Sequence, residues 1–252
     1  MAVEFYRYSY RTAEHDGDVE EYRASRDENR RCTEFIQHPQ TGLYANAYKD
    51  NVVDKDGTYL DKCISEFGMQ RMMFVIANTV KMSKHDGRWS PEVKEWAKDF
   101  MTSHTSEYAD GYLSQIHTGV VNILAEKIIK KYNGLNLFSR KHCVDESVDM
   151  EGKVIVLNHM SMKEEYWKSE YQLCLATGGF GCRPTASGRA VYATCLYDGE
   201  HSRWNREKVL GVLKDDYLPD WAREKLEELQ NTEPEEEQTG GINLYPQNQA
   251  KR

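Results

Sequence analysis

The chain has 252 residues, 39% hydrophobic and 29% charged, the proportions of a water-facing globular protein with room for one large or two modest domains. Its formal net charge of −8 argues against direct DNA binding over the whole surface, because phosphate backbones need a basic footprint, although a local basic patch escapes that objection. No apolar run approaches a membrane span and the start MAVEFYRYSY lacks a secretory core, so no membrane partner and a cytoplasmic location are expected.

An aromatic-rich start (Phe5, Tyr6, Tyr8, Tyr10) leads to Gly17-Asp18, which reads as a helix start. Val19, Tyr22, Asn29, Cys32 and Phe35-Ile36 then recur near helical spacing, and the helix should stop before Pro39. Its other face mixes Arg23, Arg26, Arg30 and Arg31 with Glu20, Glu21, Asp27 and Glu28. Mixed signs at this spacing imply a solvated, salt-bridged face, with nucleic-acid contact as the alternative. His38 to Asp56 is turn-rich, a loop or a small hairpin around Leu43 to Val53.

Asp56-Gly57 precedes a helix with Leu60, Cys63, Ile64 and Phe67 on one face, ended by Gly68. The stretch from Arg71 to Met82 is apolar on nearly all sides, as expected of the central helix of a helical domain, with Met69, Met72 and Met73 filling the core. His85-Asp86-Gly87 is a turn, Ser90 an N-cap and Pro91 the first helical residue, with Trp89 and Trp96 packing back on the core. Tyr108 to Tyr132 resumes helical periodicity, His117 lies near the apolar stripe as a packed histidine, and Asn133-Gly134 ends the helix. Lys127, Lys130 and Lys131 suit its C-terminal dipole.

From Ser139 to Gly152 the chain is polar and aperiodic, and then the period changes. Val154 to Leu157 is a buried strand, Lys163 to Tyr166 a short helical turn, and Lys208 to Leu213 a last strand preceded by a turn at Asp198-Gly199. Leu218-Pro219 opens an amphipathic helix with Trp221, Ala222, Leu226 and Leu229 on one side. The expected fold is α+β: a mainly helical domain over 1–140, a small mixed sheet-plus-helix domain over 150–230, and a polar, acidic flexible tail over 231–252.

The densest glycine lies in Leu173 to Leu196, LCLATGGFGCRPTASGRAVYATCL, which reads as strand, glycine turn, basic loop, strand. Gly178, Gly179 and Gly181 can take positive φ or admit another backbone. Arg183 and Arg189 flank a turn that includes Ser187, a combination able to hold a phosphate or carboxylate. The loop fits no standard phosphate-binding pattern, since neither Lys-Ser/Thr nor GxGxxG is present. The plain alternative is a wide hairpin with a glycine bulge and solvated arginines. A second polar cluster, His85, Asp86 and Arg88 with His104, could serve acid–base or phosphate chemistry, or Asp86 could close its turn and pair with Arg88 locally.

Six cysteines, Cys32, Cys63, Cys143, Cys174, Cys182 and Cys195, form no CxxC pair, and His142-Cys143 is the only adjacent His–Cys pair. They read as reduced structural residues, and no metal or cofactor is expected.

The phrases FYRYSYRTAEHDGDVEEYRAS, FVIANTV and DGRWSPEVKEWA together resemble an uncharacterised bacterial domain family carried by conjugative elements and prophages of Gram-positive gut bacteria, over about residues 4–130. LATGGFGCRPTASGRAVY, Asp198-Gly199-Glu200 and LPDWAREKL resemble a module that accompanies such domains, over about 153–230. The resemblance transfers no reaction and no catalytic residue; Asn78, Asp86, Gly87, Arg88, Ser90, Trp96 and Gly178 to Gly181 are its landmarks. It implies a non-enzymatic accessory protein of a mobile element, with a host protein or nucleoprotein complex as partner and counter-defence, anti-CRISPR or anti-restriction, as the role. Two other readings stay open: a nucleotide or small-anion binder using the Gly178–Arg189 loop, and a nuclease or hydrolase using His85, Asp86 and His104.

Overall fold

The computed structural model describes residues 3–45, 54–102, 108–145 and 147–231. The middle of the expected loop or hairpin around Leu43 to Val53, the histidine His104, and all of the expected tail after Asn231 lie outside them. The chain divides into two compact units, Met1–Gly134 and Leu135–Arg252.

The first unit is helical: α1 (Tyr10–Asp16), α2 (Val19–Gln37), α3 (Thr58–Phe67), α4 (Met69–Met82), α5 (Pro91–Thr102) and α6 (Thr118–Asn133). Gly17-Asp18 is therefore not the first helix start. Ser9 caps α1 by accepting from the Thr12 N–H, and Gly17 ends it in the left-handed region at φ 86°. Seven residues with only Ala13 buried leave no periodicity to read. α2 ends before Pro39, and Arg23–Glu20, Arg30–Asp27 and Arg31–Glu28 pair along its solvated face.

Every residue of α4 from Met69 to Val80 is buried, so it is the axis of the unit, as its all-round apolar sequence requires. One of these residues is charged. Arg71, 1% exposed, donates from Nε to Asn29 Oδ1 (3.0 Å) and from its terminal nitrogens to the carbonyls of Val3 (2.9 Å), Phe67 (3.2 Å) and Glu4 (3.2 Å). It thereby joins the N-terminal strand of chain, α2 and α3 to the central helix.

The expected helix over Tyr108 to Tyr132 is shorter than its periodicity suggests. Tyr108–Gly111 is a single 3-10 turn, and α6 begins only at Thr118. Leu113 and Ile116 are buried in the connecting segment, so their spacing reflects packing of a loop and not a helix face. Gly111 lies against Phe74, where a Cβ would meet the ring at 2.8 Å.

The second unit is built on five antiparallel strands in the order β4-β3-β2-β1-β5: β1 (Val154–Leu157), β2 (Leu173–Gly178), β3 (Ala190–Cys195), β4 (His201–Asn205) and β5 (Val209–Val212). Alternation assigns two faces. Val154 pairs with Leu175 and Val156 with Leu173, and this face forms a core with Cys143, Leu196, Leu213 and Ala222 of α7 (Asp220–Asn231). Trp221 and Leu226 pack on that core, whereas Leu229 is exposed, contrary to its expected inward place. Ile155, Cys174, Cys195 and Val212 share the other face and are buried too. Gln172, 0% exposed, binds the N–H and carbonyl of Phe138 and the Leu157 carbonyl, at 2.7, 3.0 and 3.0 Å.

Strand β4 has no counterpart in the sequence reading. Its HSRWN is polar, and only Trp204 is buried, so the period-two signal reduces to one residue. Asp198-Gly199 turns β3 into β4 and does not lead directly into the last strand. The short turns Arg140–His142 and Glu164–Tyr166 are 3-10 helices.

Candidate functional site

The glycine-rich stretch joins β2 to β3, and its glycines answer to backbone geometry. The strand register shifts between Ala176 and Gly178, a bulge of the kind glycine permits. Gly178 and Gly179 take φ 149° and 106°. A Cβ on Gly179 would stand 2.5 Å from the Ala190 carbonyl oxygen, and one on Gly181 2.7 Å from those of Arg189 and Ala190. The loop is thus pressed flat against the start of β3.

Four of its amides bond within the loop. Cys182 N–H donates to the Gly179 carbonyl (3.0 Å), Arg183 to Phe180 (3.4 Å), Ala186 to Arg183 (3.2 Å) and Ser187 to Thr185 (3.1 Å). The guanidinium that clamps the loop comes from Arg206, which donates to the carbonyls of Gly181 (2.6 Å) and Cys182 (3.3 Å). Arg183 and Arg189 are exposed, and the Ser187 hydroxyl faces Glu207 at 3.5 Å. The structure therefore brings these six residues into one loop, in which the amides of Cys182, Arg183, Ala186 and Ser187 are bonded within the loop and the Ser187 hydroxyl faces a carboxylate.

What the loop presents instead is Phe180, 71% exposed. The Arg183 guanidinium lies 5.2 Å from its ring centroid. Tyr192, 40% exposed, sits where a Cβ on Gly179 would come within 3.1 Å of its ring, and its strand partner is the exposed Arg203. The glycines and arginines dominate this stretch of sequence, and the signal for Phe180 is only its place as an aromatic between Gly179 and Gly181 in a turn.

In the first unit the turn before α5 brings together Asp86 and Arg88. Arg88 Nε reaches Asp86 Oδ1 at 2.8 Å, and its Nη2 reaches Oδ2 at 2.5 Å. Thr118, the first residue of α6, donates to Asp86 at 2.7 Å. His117 is not a packed residue: it is exposed and caps α6, its Nδ1 accepting from the Gly119 N–H (3.1 Å) while Nε2 faces Arg88 at 2.6 Å. A neutral ring can accept only one of those two donors. His85 is exposed and takes no part in this set. Ser90 caps α5 through Val93 N–H (3.3 Å), Trp89 is buried, and half-buried Trp96 stacks on Phe100.

The Asp86 carboxyl is held well below the usual carboxylate range, first by its side-chain bonds to Arg88, then by the Arg88 N–H and the Thr118 hydroxyl. A carboxylate this strongly committed is a poor general base. Because its folded-state pKa lies below the unfolded value near 4, its stabilising contribution is complete above that pH and is lost as pH falls through the folded value. Asp86→Asn should therefore flatten the acid side of the stability profile. Melting temperatures between pH 7 and 2 that fall in parallel for the variant and the parent would contradict this.

All six cysteines are buried thiols outside any disulfide. Burial pushes Cys63 up to about 12 and raises Cys32, Cys143 and Cys182 as well, so none of these four is an activated nucleophile. Among the described residues no group of three or more His, Cys, Asp or Glu side chains is placed to hold a metal ion, and no helix is long and apolar enough to cross a membrane.

These features define an α+β protein whose helical first unit carries locally paired polar groups and whose second unit displays an aromatic loop. Residues 5–133 match the family described as a protein of unknown function, DUF3849, and the chain belongs to that family. The match covers the helical unit and stops short of the glycine-rich loop. No curated protein and no solved structure matches the chain.

Proposed function

We propose that the protein is a non-enzymatic binding protein that holds a host protein, or the protein part of a nucleoprotein complex, through the Phe180 loop. The observation that carries this reading is the 71% exposure of Phe180 on a loop fixed by Gly179, Gly181 and Arg206. Leaving a whole phenyl ring in water forgoes roughly 2 kcal/mol of burial, and a loop held rigid beforehand loses little further entropy on docking. Aromatic and arginine side chains are also the residues that dominate binding hot spots. Phe180, Tyr192, Arg183 and Arg203 supply both, so the partner surface is an apolar pocket with acidic side chains at its rim.

The locked Asp86–Arg88 pair, the capping role of His117 and the raised cysteines support a role in binding over catalysis. The sequence resemblance to domains of conjugative elements and prophages supports a cytoplasmic mobile-element accessory, with an inhibitor of host CRISPR or restriction complexes as its role.

The test is capture of partners on immobilised protein from nuclease-treated lysates of cells that carry such defence systems. Phe180→Ala should lower the affinity for the captured protein by about 30-fold or more, the loss expected at a hot spot. Because the side chain is exposed, its melting temperature should stay unchanged. Equal capture by parent and Phe180→Ala would remove the proposal.

A further inference from the structure

Strands β2 and β3, which carry the glycine-rich loop between them, set two cysteines directly opposite each other: Cys174 pairs with Cys195 in the antiparallel register. Directly paired residues of neighbouring strands project to the same side of a sheet. Both cysteines therefore lie on the face that also holds Ile155 and Val212, and each is 1% exposed.

The backbone bonds define the kind of pair. One position along, the Leu196 N–H donates to the Leu173 carbonyl (2.9 Å), whereas the Cys195 N–H points to the other edge of β3 and donates to the Glu200 carbonyl (2.9 Å). Bonded and non-bonded pairs alternate in an antiparallel ladder, so Cys174 and Cys195 form a non-hydrogen-bonded pair, the class whose Cα atoms approach to about 4.5 Å and whose side chains lie closest. A disulfide needs Cα atoms roughly 4.4–6.8 Å apart and Cβ atoms that face each other. The pair falls within that window. The other four thiols have partners of a different kind: Cys32 donates to Met72 Sδ (3.7 Å), Cys143 to the Ser139 carbonyl (3.9 Å) and Cys182 to the Gly178 carbonyl (3.1 Å), and Cys63 shares a hydrogen bond with Tyr59.

We infer that Cys174 and Cys195 are a redox-modification site, two thiols at rest that a peroxide joins as a cross-strand disulfide. One thiolate attacks a peroxide oxygen, the O–O bond breaks, and the departing hydroxide takes up the thiol proton as water, leaving a sulfenic acid. The second sulfur displaces the hydroxyl of that sulfenic acid, its own proton leaves in a second water, and the S–S bond forms. The two thiols thus give two electrons to the peroxide. Burial slows arrival of the oxidant and holds the sulfenic acid beside the thiol that resolves it. The bond closes a covalent ring through β2, the glycine-rich loop and β3, which restricts the unfolded chain. This site does not depend on what the Phe180 loop binds.

The experiment treats the folded full chain with hydrogen peroxide until its thiol titre stops falling, then alkylates it in denaturant and maps the unreduced peptides by mass spectrometry. A peptide linking Cys174 to Cys195 should appear, lighter by two hydrogen atoms than its parts and cleaved by dithiothreitol, while the other four cysteines are recovered unlinked. The oxidised second unit should melt about 5 °C or more above the reduced one. Cys174→Ala and Cys195→Ala should each abolish both the cross-link and the oxidation-dependent rise. The link is mapped in the parent chain, so it is read independently of how well the variants fold. Recovery of both cysteines as alkylated thiols, a link between other cysteines in their place, or an oxidised form that melts no higher than the reduced one would each overturn the assignment.

Discussion

Replacing Arg71 with alanine is expected to destabilise the helical unit by about 3–5 kcal/mol, the scale found when one partner of a buried charged network is removed. The guanidinium is 1% exposed and holds Asn29 Oδ1 together with the carbonyls of Val3, Glu4 and Phe67. Alanine would leave those acceptors buried with fewer donors and open a cavity beside α4, and both effects cost stability. Arg71→Lys keeps the charge but has no planar fork, so it should recover only part of the loss. Urea unfolding followed by far-ultraviolet circular dichroism reads both variants. A midpoint for Arg71→Ala close to that of the parent would show that the clasp is dispensable.

The second large effect is expected at Gly179. With φ at 106° and a Cβ position 2.5 Å from the Ala190 carbonyl oxygen, Gly179→Ala faces both backbone strain and a clash with main chain that cannot move aside easily. A cost of about 3 kcal/mol or more follows. Gly188, at φ 65° in the same loop, offers a control because the nearest atom to its Cβ position is Glu207 at 4.0 Å. Gly188→Ala should cost only about 1 kcal/mol, the left-handed penalty without a clash. Equal destabilisation by the two substitutions would mean that close approach to β3 does not shape the loop.

The elements most visible in the sequence are those buried in a sustained run. α4 announces itself because residues 69–80 are all buried, and β1 because Val154 to Leu157 are buried without a break. The α+β order of helices then strands follows from that change of period near residue 150. The features that escaped are those whose local pattern is weak or misleading. α1 buries one residue, β4 buries one residue, and Leu113 and Ile116 continue a helical spacing through a segment that is not helical. Caps are equally hard to see at a histidine: His117 stands at the edge of an apolar stripe, yet its ring faces Gly119 and Arg88.

The candidate site was legible in place but not in kind. Leu173 to Leu196 was recognisable as two strands around a glycine turn, and that is how it folds. What the glycines do depends on carbonyls of residues 189 and 190 pressing against residues 179 and 181, a relation that spacing along the chain does not encode. Arg206, which closes the loop, lies beyond β4, and that strand was itself invisible.

The most direct test of the binding-face proposal is hydrogen exchange of the protein alone and in complex with its captured partner. Protection on complex formation should concentrate at Gly179 to Arg189 and at neighbouring Tyr192 and Arg203, where Phe180 is presented. Protection confined to the helical unit, with the amides of this loop exchanging as they do in the free protein, would contradict the assignment of the Phe180 loop as the binding face.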